Sequence, residues 1–157
     1  MPAVYGISSL GTNLTTSGTP NTNVESFFVK PGAARAVFLQ SIMLQGKGAG
    51  LTAISGIIER IKKWTTASTA GTAITPQPVD PKFAASSATA AYRPTAGSGG
   101  GTVVAAFGCG AAGPGGWVAP NQDSMIGLNA GDAGSISGDD ASGTASLNFE
   151  FSGQIVE

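Results

Sequence analysis

Apolar and polar residues alternate most regularly at the C-terminal end of the chain, over residues 145–156 (ASLNFEFSGQIV). A period of two places the apolar residues on one side of an extended chain and the polar residues on the other. The apolar positions are Leu147, Phe149, Phe151 and Ile155. The pattern therefore predicts a half-buried antiparallel strand that ties this end of the chain into a sheet.

Shorter β-favouring runs occur through the rest of the chain, separated by glycine and proline. β-Branched and aromatic residues bounded by such breaks indicate strands joined by turns. The runs are residues 24–29 (VESFFV), 36–45 (AVFLQSIMLQ), 72–75, 87–92, 102–107 (TVVAAF), 117–119, 125–128 and 135–137. Strict alternation in the second run predicts that Phe38 lies on the same face as Ile42 and Leu44.

Residues 51–64 fit two different periods. The isoleucines fall at the spacing of an amphipathic helix, at Ile54, Ile57, Ile58 and Ile61. The same residues also alternate as in a strand, Gly56 weakens a helix by about 1 kcal/mol, and β-branched residues are frequent here. We therefore predict a strand over this segment, with an amphipathic helix as the alternative.

Seven or eight short strands with glycine and proline turns predict an all-β fold, an antiparallel β-sandwich of jelly-roll type. A single domain is expected over residues 24–157. Residues 1–23 are polar and turn-rich, which predicts an extended N-terminal arm or an edge segment, with a short strand possible at residues 3–8. Residues 65–102 predict long proline- and glycine-rich loops that contain short extended pieces.

Composition excludes several function classes. The chain has no His, which removes the Ser-His-Asp and Cys-His catalytic arrangements and the common zinc ligand sets. Cys109 is the one cysteine, so no internal disulfide can form. A net charge of -1 without a basic patch argues against nucleic acid as a partner. The sequence shows neither a transmembrane run nor a signal peptide at residues 1–13, so we expect no membrane association and no secretion.

The acidic residues offer weak candidates for chemistry. Asp132, Asp139 and Asp140 lie in a glycine-rich segment that could supply Ca²⁺ ligands, although a solvated turn is the simpler interpretation. Glu59 and Glu150 could form a carboxylate pair for glycoside hydrolysis, which nothing else in the sequence supports. We therefore predict no metal site, no cofactor and no enzymatic activity.

Other groups are interpreted as structural. The cluster Glu59–Lys63 (ERIKK) is expected to be a solvated strand face. Cys109 is expected to be a packed thiol, because no His is present to lower its pKa. Its glycine-rich surroundings lack the Lys and helix start of a phosphate-binding loop.

Two aromatic residues are the best candidates for partner contact. Trp117 follows a glycine-rich loop, and Tyr92 lies near the proline- and glycine-rich connection. Aromatic side chains on loops bind sugars and partner proteins, although packing against the core is the more common role.

Three segments resemble small virion structural proteins of tailed bacteriophages. They are GIIERIKKWTTASTAGTAITPQPVDPKFAASSATA from Gly56, GCGAAGPGGWVAPNQDSMIGL, and the closing ASGTASLNFEFSGQIVE. Together they place the chain near capsid decoration, or cement, proteins. The resemblance implies a β-sandwich or jelly roll, often trimeric, seated on the outer capsid surface where hexamers and pentamers meet.

A small, weakly charged domain rich in Ala, Gly and Thr is a plausible assembly unit, which agrees with that resemblance. We expect a capsid cement protein with the major capsid protein as its partner, self-associating as a homotrimer. We expect it on the capsid surface of a virion assembled in the host cytoplasm. The alternative is a tail or head-fibre module that binds a receptor or glycan.

Overall fold

The computed structural model describes residues 2–9, 11–12, 14–17, 25–47, 56–93, 101–110, 114–141 and 145–157. Within these ranges the chain forms thirteen strands and one 3-10 turn, Gln122–Ser124. The strands are β1 Val4–Ser8, β2 Leu14–Ser17, β3 Phe27–Lys30, β4 Val37–Lys47, β5 Gly56–Trp64, β6 Thr72–Ile74, β7 Gln77–Pro78, β8 Thr89–Tyr92, β9 Thr102–Gly110, β10 Gly115–Val118, β11 Ile126–Leu128, β12 Ser135–Asp140 and β13 Ala145–Val156.

The described strands form two antiparallel sheets. The first sheet has the order β10-β4-β13-β1-β7, with β11 also paired to β4 and β2 also paired to β13. The second sheet has the order β6-β8-β3-β12-β5-β9. The predicted all-β sandwich is confirmed, and the inner faces of these sheets enclose the core.

The strand order is that of a jelly roll. Along the chain, β1, β3, β4, β5, β9, β10 with β11, β12 and β13 supply eight successive positions. Successive positions change sheet except from β5 to β9, so the first sheet contains β1-β13-β4-β10 and the second contains β3-β12-β5-β9. Each late strand therefore inserts beside early ones, which is the double Greek-key arrangement. The short strands β6, β7 and β8 are inserted in the chain between β5 and β9. They extend both sheets at the flank opposite β9 and β10.

Strand β1 lies inside the first sheet. All five of its residues pair with β13, and Tyr5 and Gly6 also pair with β7 on the other side. The Tyr5 side chain is fully buried and donates a hydrogen bond from its hydroxyl to the Ala84 carbonyl at 3.0 Å. The strand that the sequence allowed at residues 3–8 is therefore present, as β1. Residues 10, 13 and 18–24, which include most of the end of the predicted N-terminal arm, lie outside the described residues.

The core consists of alternating residues from the two inner faces. Phe27 from β3 and Phe151 from β13 contact each other across the sandwich, with ring centroids 5.3 Å apart. Both side chains are almost completely buried. An aromatic pair of this geometry contributes about 0.5–1.5 kcal/mol beyond its area burial. The contact therefore helps to hold the two sheets face to face.

Residues 56–64 form a strand, as predicted over the helix alternative, while residues 51–55 lie outside the described residues. Ile57 and Ile61 are fully buried on the inner face of β5. The face assignment within β4 is wrong for Phe38, which is 37% exposed, whereas its neighbour Leu39 is buried. A β-bulge shifts the register of β4 against β13 between Leu39 and Ser41, so the alternation reverses at that point.

Edge strands of the two sheets approach each other closely at Gly115. A Cβ atom on Gly115 of β10 would overlap the backbone carbonyl of Gly108 in β9. Only glycine allows the two main chains to approach this closely. The sandwich is therefore joined at the C-terminal end of β9, where the chain passes from the second sheet to the first.

Replacing Gly115 by alanine tests this close approach. We expect G115A to lower the free energy of unfolding by about 1–3 kcal/mol, because backbone must move to admit the methyl group. The matched control is G6A, since a Cβ at Gly6 meets only the Gln77 carbonyl at 3.9 Å. G6A should change stability by less than about 0.5 kcal/mol. Equal effects of the two substitutions in urea denaturation would contradict the close contact.

Candidate interaction surface

Trp117 lies on β10, opposite Ile42 of β4. Because Ile42 is fully buried, this register places Trp117 on the inner face of the first sheet. The indole is partly buried and packs against the core. Trp117 therefore belongs to the margin of the core, and the adjacent Val118, 59% exposed, faces outward.

Tyr92 lies at the end of β8 in the second sheet, and it also packs against the core. Its hydroxyl is 3.4 Å from the hydroxyl of Thr12. Hydrogen bonds with Thr12 and then Thr72 lower the pKa of the Tyr92 phenol. The two aromatic candidates for partner contact thus lie in different sheets, and each is half-buried.

A buried carboxylate network occupies the outer face of the second sheet. Glu25, just before β3, is 2% exposed. Its Oε1 accepts hydrogen bonds from Trp64 Nε1 at 2.7 Å and Ser137 Oγ at 2.6 Å. Its Oε2 accepts one from Ser68 Oγ at 2.6 Å, and Ser68 N donates to Ser135 Oγ at 3.0 Å. The network joins the segment after β5 to β12 and to the start of β3.

Burial raises the pKa of Glu25 above its ordinary value, because desolvation disfavours the carboxylate. The hydrogen bonds from Ser137, Ser68 and Trp64 oppose this rise, and the charge of Asp139 adds to it. The network was missed by the sequence interpretation. Its signal was the alternation of Ser135, Ser137 and Asp139, which puts polar groups on the face of β12 away from the core.

A second buried cluster lies beside the first. Asp139, 1% exposed, binds Arg60 and lies 2.9 Å from Lys62 Nζ. Lys62 also lies over the Trp64 ring, 5.3 Å from its centroid. The solvated strand face predicted for Glu59–Lys63 is therefore wrong for Lys62, which is 5% exposed, and for Glu59, which is fully buried.

The aspartates proposed as calcium ligands have other environments. Asp139 and Asp140 are part of β12, so the predicted solvated turn is wrong for the buried Asp139. Asp132 accepts a hydrogen bond from the Asn129 backbone at 2.8 Å. Across the ranges that the structure describes, no group of three His, Cys, Asp or Glu side chains could hold a metal ion.

Glu59 and Glu150 lie in different sheets. Glu59 points inward from β5 between Ile57 and Ile61, and the absence of a side chain on Gly138 makes room for it. Glu150 lies on β13, where it binds Lys47 and accepts a hydrogen bond from Gly11 N at 3.2 Å. The structure does not bring the two carboxylates together across a cleft.

The Cys109 thiol is buried near Glu59 at the inner face of β9. Burial raises its pKa, and the charge of Glu59 raises it further. A thiol in this state is mostly protonated at neutral pH and a poor nucleophile. The geometry therefore agrees with a packed thiol.

Exposed apolar side chains of the described residues form two groups. On the outer face of the first sheet, Phe38 and Met43 of β4 and Val118 of β10 are 37%, 38% and 59% exposed. We call these three residues the outer patch. The second group lies on β5 and β9, and a lone Val79 lies on the opposite flank.

The outer face of the first sheet carries little charge around the outer patch. A shallow groove of about 490 Å³ adjoins Met43 and is lined by uncharged residues, among them Ser8, Ser41, Gln77, Ser152 and Gln154. A smaller hollow of about 170 Å³ lies beside Phe38 and is lined by Pro2, Gln122, Met125 and Val156. Around the patch this face places apolar and hydrogen-bonding positions side by side, and the Lys47–Glu150 ion pair lies at its end beyond Met43.

No described helix has the length and hydropathy of a bilayer-spanning segment. No protein-family model and no curated protein sequence matches the chain. Among solved structures, it is similar to a chain in the structure of infectious bursal disease virus, Gx strain, with 12% identity and a TM-score of 0.24. The match covers 99% of this chain and 42% of that chain. A TM-score this low does not establish a common fold, so we draw nothing about function from it.

The raised pKa of Glu25 predicts an unusual pH dependence. Between 4.5 and the raised pKa, the folded protein holds a proton that the unfolded chain has released. The contribution of Glu25 to stability is therefore greatest below pH 4.5 and falls as the pH rises through the raised pKa. E25Q stays neutral throughout, so its stability relative to the wild type should increase with pH. Urea denaturation of both proteins between about pH 4 and pH 8 measures this, and a constant difference would contradict it.

The position of Trp117 predicts a structural role. We expect W117A to lower the free energy of unfolding by about 2–3 kcal/mol, somewhat less than for a fully buried tryptophan, because the indole packs on the core but stays partly exposed. V118A, a truncation of the exposed neighbour, should cost less than about 0.5 kcal/mol. Equal stability of W117A and V118A in denaturant titrations would instead place the indole outside the core.

Proposed function

We propose that this chain is a non-enzymatic structural protein of a virion, and more closely a capsid cement or decoration protein. In this role it binds on the outer capsid surface, across contacts between major capsid subunits. The resemblance of its segments to phage virion proteins supports the proposal. The jelly roll is compatible with it, since this fold serves viral capsid and lectin domains. Fold alone does not select between those roles.

The observation that carries the proposal is the way charge is distributed. Glu25, Glu59, Lys62 and Asp139 are all buried, and on the outer face of the second sheet Glu25, Lys62 and Asp139 are bound by neighbouring groups. Around the outer patch, the first sheet presents apolar and uncharged polar side chains, with the paired Lys47 and Glu150 at one end. A surface of this kind favours adhesion to another protein over chemistry on a substrate.

The outer patch is the surface that we assign to the capsid contact. Phe38 and Met43 lie over Gly127 and Gly116, where the absence of a side chain on the neighbouring strand leaves room for them. Apolar side chains at the centre of a patch, with a hydrogen-bonding rim such as the adjacent serine- and glutamine-lined groove, reproduce the general anatomy of protein interfaces. Many copies on one capsid would add their contacts by avidity, so each interface can be modest.

A glycan-binding module is the second candidate function. The groove of about 490 Å³ favours it, because neutral hydrogen-bonding side chains suit an uncharged sugar. An aromatic platform is the usual partner of a sugar ring, and the residues that line this groove include none. Trp117 and Tyr92, on which the glycan interpretation was based, pack against the core instead. The cement role therefore has the stronger support.

Binding to capsids assembled from the major capsid protein of the same virus tests the proposal. We expect saturable co-sedimentation and a higher temperature of capsid disassembly. F38E should weaken binding at least about tenfold, since it puts a charge within the outer patch. V79E is the matched control, because Val79 is 60% exposed on the opposite flank.

Two results would overturn the cement proposal. One is the absence of wild-type binding to capsids at protein concentrations of about 10 μM, well above the concentration needed for a specific interface. The other is saturable binding to glycans on an array without capsid binding, which would replace cement by the receptor- or glycan-binding module. F38E must keep the wild-type unfolding midpoint for its loss of binding to count.

A further inference from the structure

The segment between β7 and β8 crosses from one sheet to the other. It comprises residues 79–88, all of which the structure describes, and it has neither strand nor helix. Strand β7 is at the edge of the first sheet beside β1, and β8 lies beside β3 in the second sheet. The segment therefore closes the side of the sandwich opposite β9 and β10. We call residues 79–88 the strap.

The strap is attached to the sandwich mainly through polar groups. Most of its residues are exposed, although Phe83 and Ala88 pack against the core. At its start, Val79 N donates a hydrogen bond to the Val4 carbonyl at 2.9 Å. A segment that buries little apolar surface has a low local stability. The polar contacts of the strap therefore decide how often it opens.

Glu157, directly after β13 in the first sheet, bonds the end of the strap. Its side chain is fully buried, and its backbone exchanges hydrogen bonds of 2.9 Å with Ala3 beside β1. Its Oε1 accepts hydrogen bonds from Ala88 N at 2.7 Å, Ser86 Oγ at 2.9 Å and Ser87 Oγ at 3.2 Å. Its Oε2 accepts one from Ser87 N at 3.1 Å. One carboxylate of the first sheet thus holds three consecutive residues that lead into β8 of the second sheet.

These four hydrogen bonds are stronger than the other polar contacts of the strap. Hydrogen bonds to an ionised acceptor are roughly twice as strong as those between neutral groups. The Tyr5 hydroxyl makes one neutral hydrogen bond, to the Ala84 carbonyl at 3.0 Å. Arg35 lies 3.8 Å from Oε2 of Glu157, but its side chain is 48% exposed, so solvent weakens that ion pair. Among the described contacts, Glu157 therefore supplies the strongest polar attachment of the strap.

We propose that the strap opens as a unit of its own while the sandwich stays folded, and that the Glu157 carboxylate is the latch that keeps it closed. Opening breaks the contacts of the strap with Glu157, Tyr5 and Val4. It leaves the pairing of β1 with β13 and of β13 with β4 intact, because the strap takes no part in either. Tyr5, fully buried when the strap is closed, then meets solvent. The strap lies at the flank and not at the outer patch, so this proposal does not rest on the capsid role.

Native-state hydrogen exchange tests the proposal by comparing the strap with the sheet beside it. In the wild type, the amides of Val79, Ser87 and Ala88 should exchange with one shared opening constant, faster than the amides in the centre of β13. E157Q replaces an accepting oxygen by a donor, so all three amides should exchange at least about tenfold faster while those of β13 stay unchanged. E150Q is the matched control, because the same change within β13 removes a carboxylate that binds Lys47. It should leave the strap at wild-type rates.

Y5F tests the same opening from a different contact. It removes the hydroxyl that bonds the Ala84 carbonyl and leaves the contacts of Glu157 in place, so the three strap amides should again accelerate by one common factor, about two- to tenfold. Three results would contradict the proposal. The first is a wild type whose strap amides exchange only through global unfolding. The second is acceleration in E157Q confined to Ser87 and Ala88, which bond the carboxylate directly. The third is an E157Q variant that unfolds or exchanges faster in every strand, since Glu157 then acts on global stability alone.

Discussion

The structure depends on a narrow core in which a small number of large side chains hold two sheets together. Aromatic residues make up 7% of the chain, and among the described residues Phe27 and Phe151 make a contact between rings that spans the sandwich. Each buried aromatic side chain covers roughly 150–250 Å², far more than the Ala, Gly and Ser that surround it. Strand order and register must therefore place these few residues opposite each other, and the jelly roll does so by inserting late strands between early ones.

The thin core also explains the buried polar groups. Where a larger protein would use apolar packing, the segment after β5 is attached to the second sheet by hydrogen bonds among Glu25, Ser68 and Ser135. Buried polar groups are tolerated only when their partners are supplied, and here several strands supply them. A consequence is that Glu25, Lys62 and Asp139 are held within the fold by neighbouring groups, although they lie on the outer face of the second sheet.

Much of the fold could be predicted from the sequence, and the site much less. The alternation of residues 145–156 gave the correct strand, with Phe149, Phe151 and Ile155 buried. The bulge in β4 could not be predicted, because Gln40 is an ordinary strand residue and only pairing with β13 reveals the shift.

Glu25 was also missed, since a single acidic residue before a strand gives no sign of the serines that a distant strand brings to it. Trp117 and Tyr92 were candidates for partner contact with core packing as the alternative, and the register and burial show that both pack against the core.

The pairing of β1 with β13 has a consequence for how the domain forms. Val4 pairs with Val156, and Ala3 and Glu157 exchange backbone hydrogen bonds of 2.9 Å. Contacts this distant along the chain make loop closure costly, and such β topologies fold on the order of milliseconds to seconds. During synthesis, the first sheet cannot be completed before its last strand leaves the ribosome. Strand β13 lies between β4 and β1, so it is the last of their partners to be synthesised.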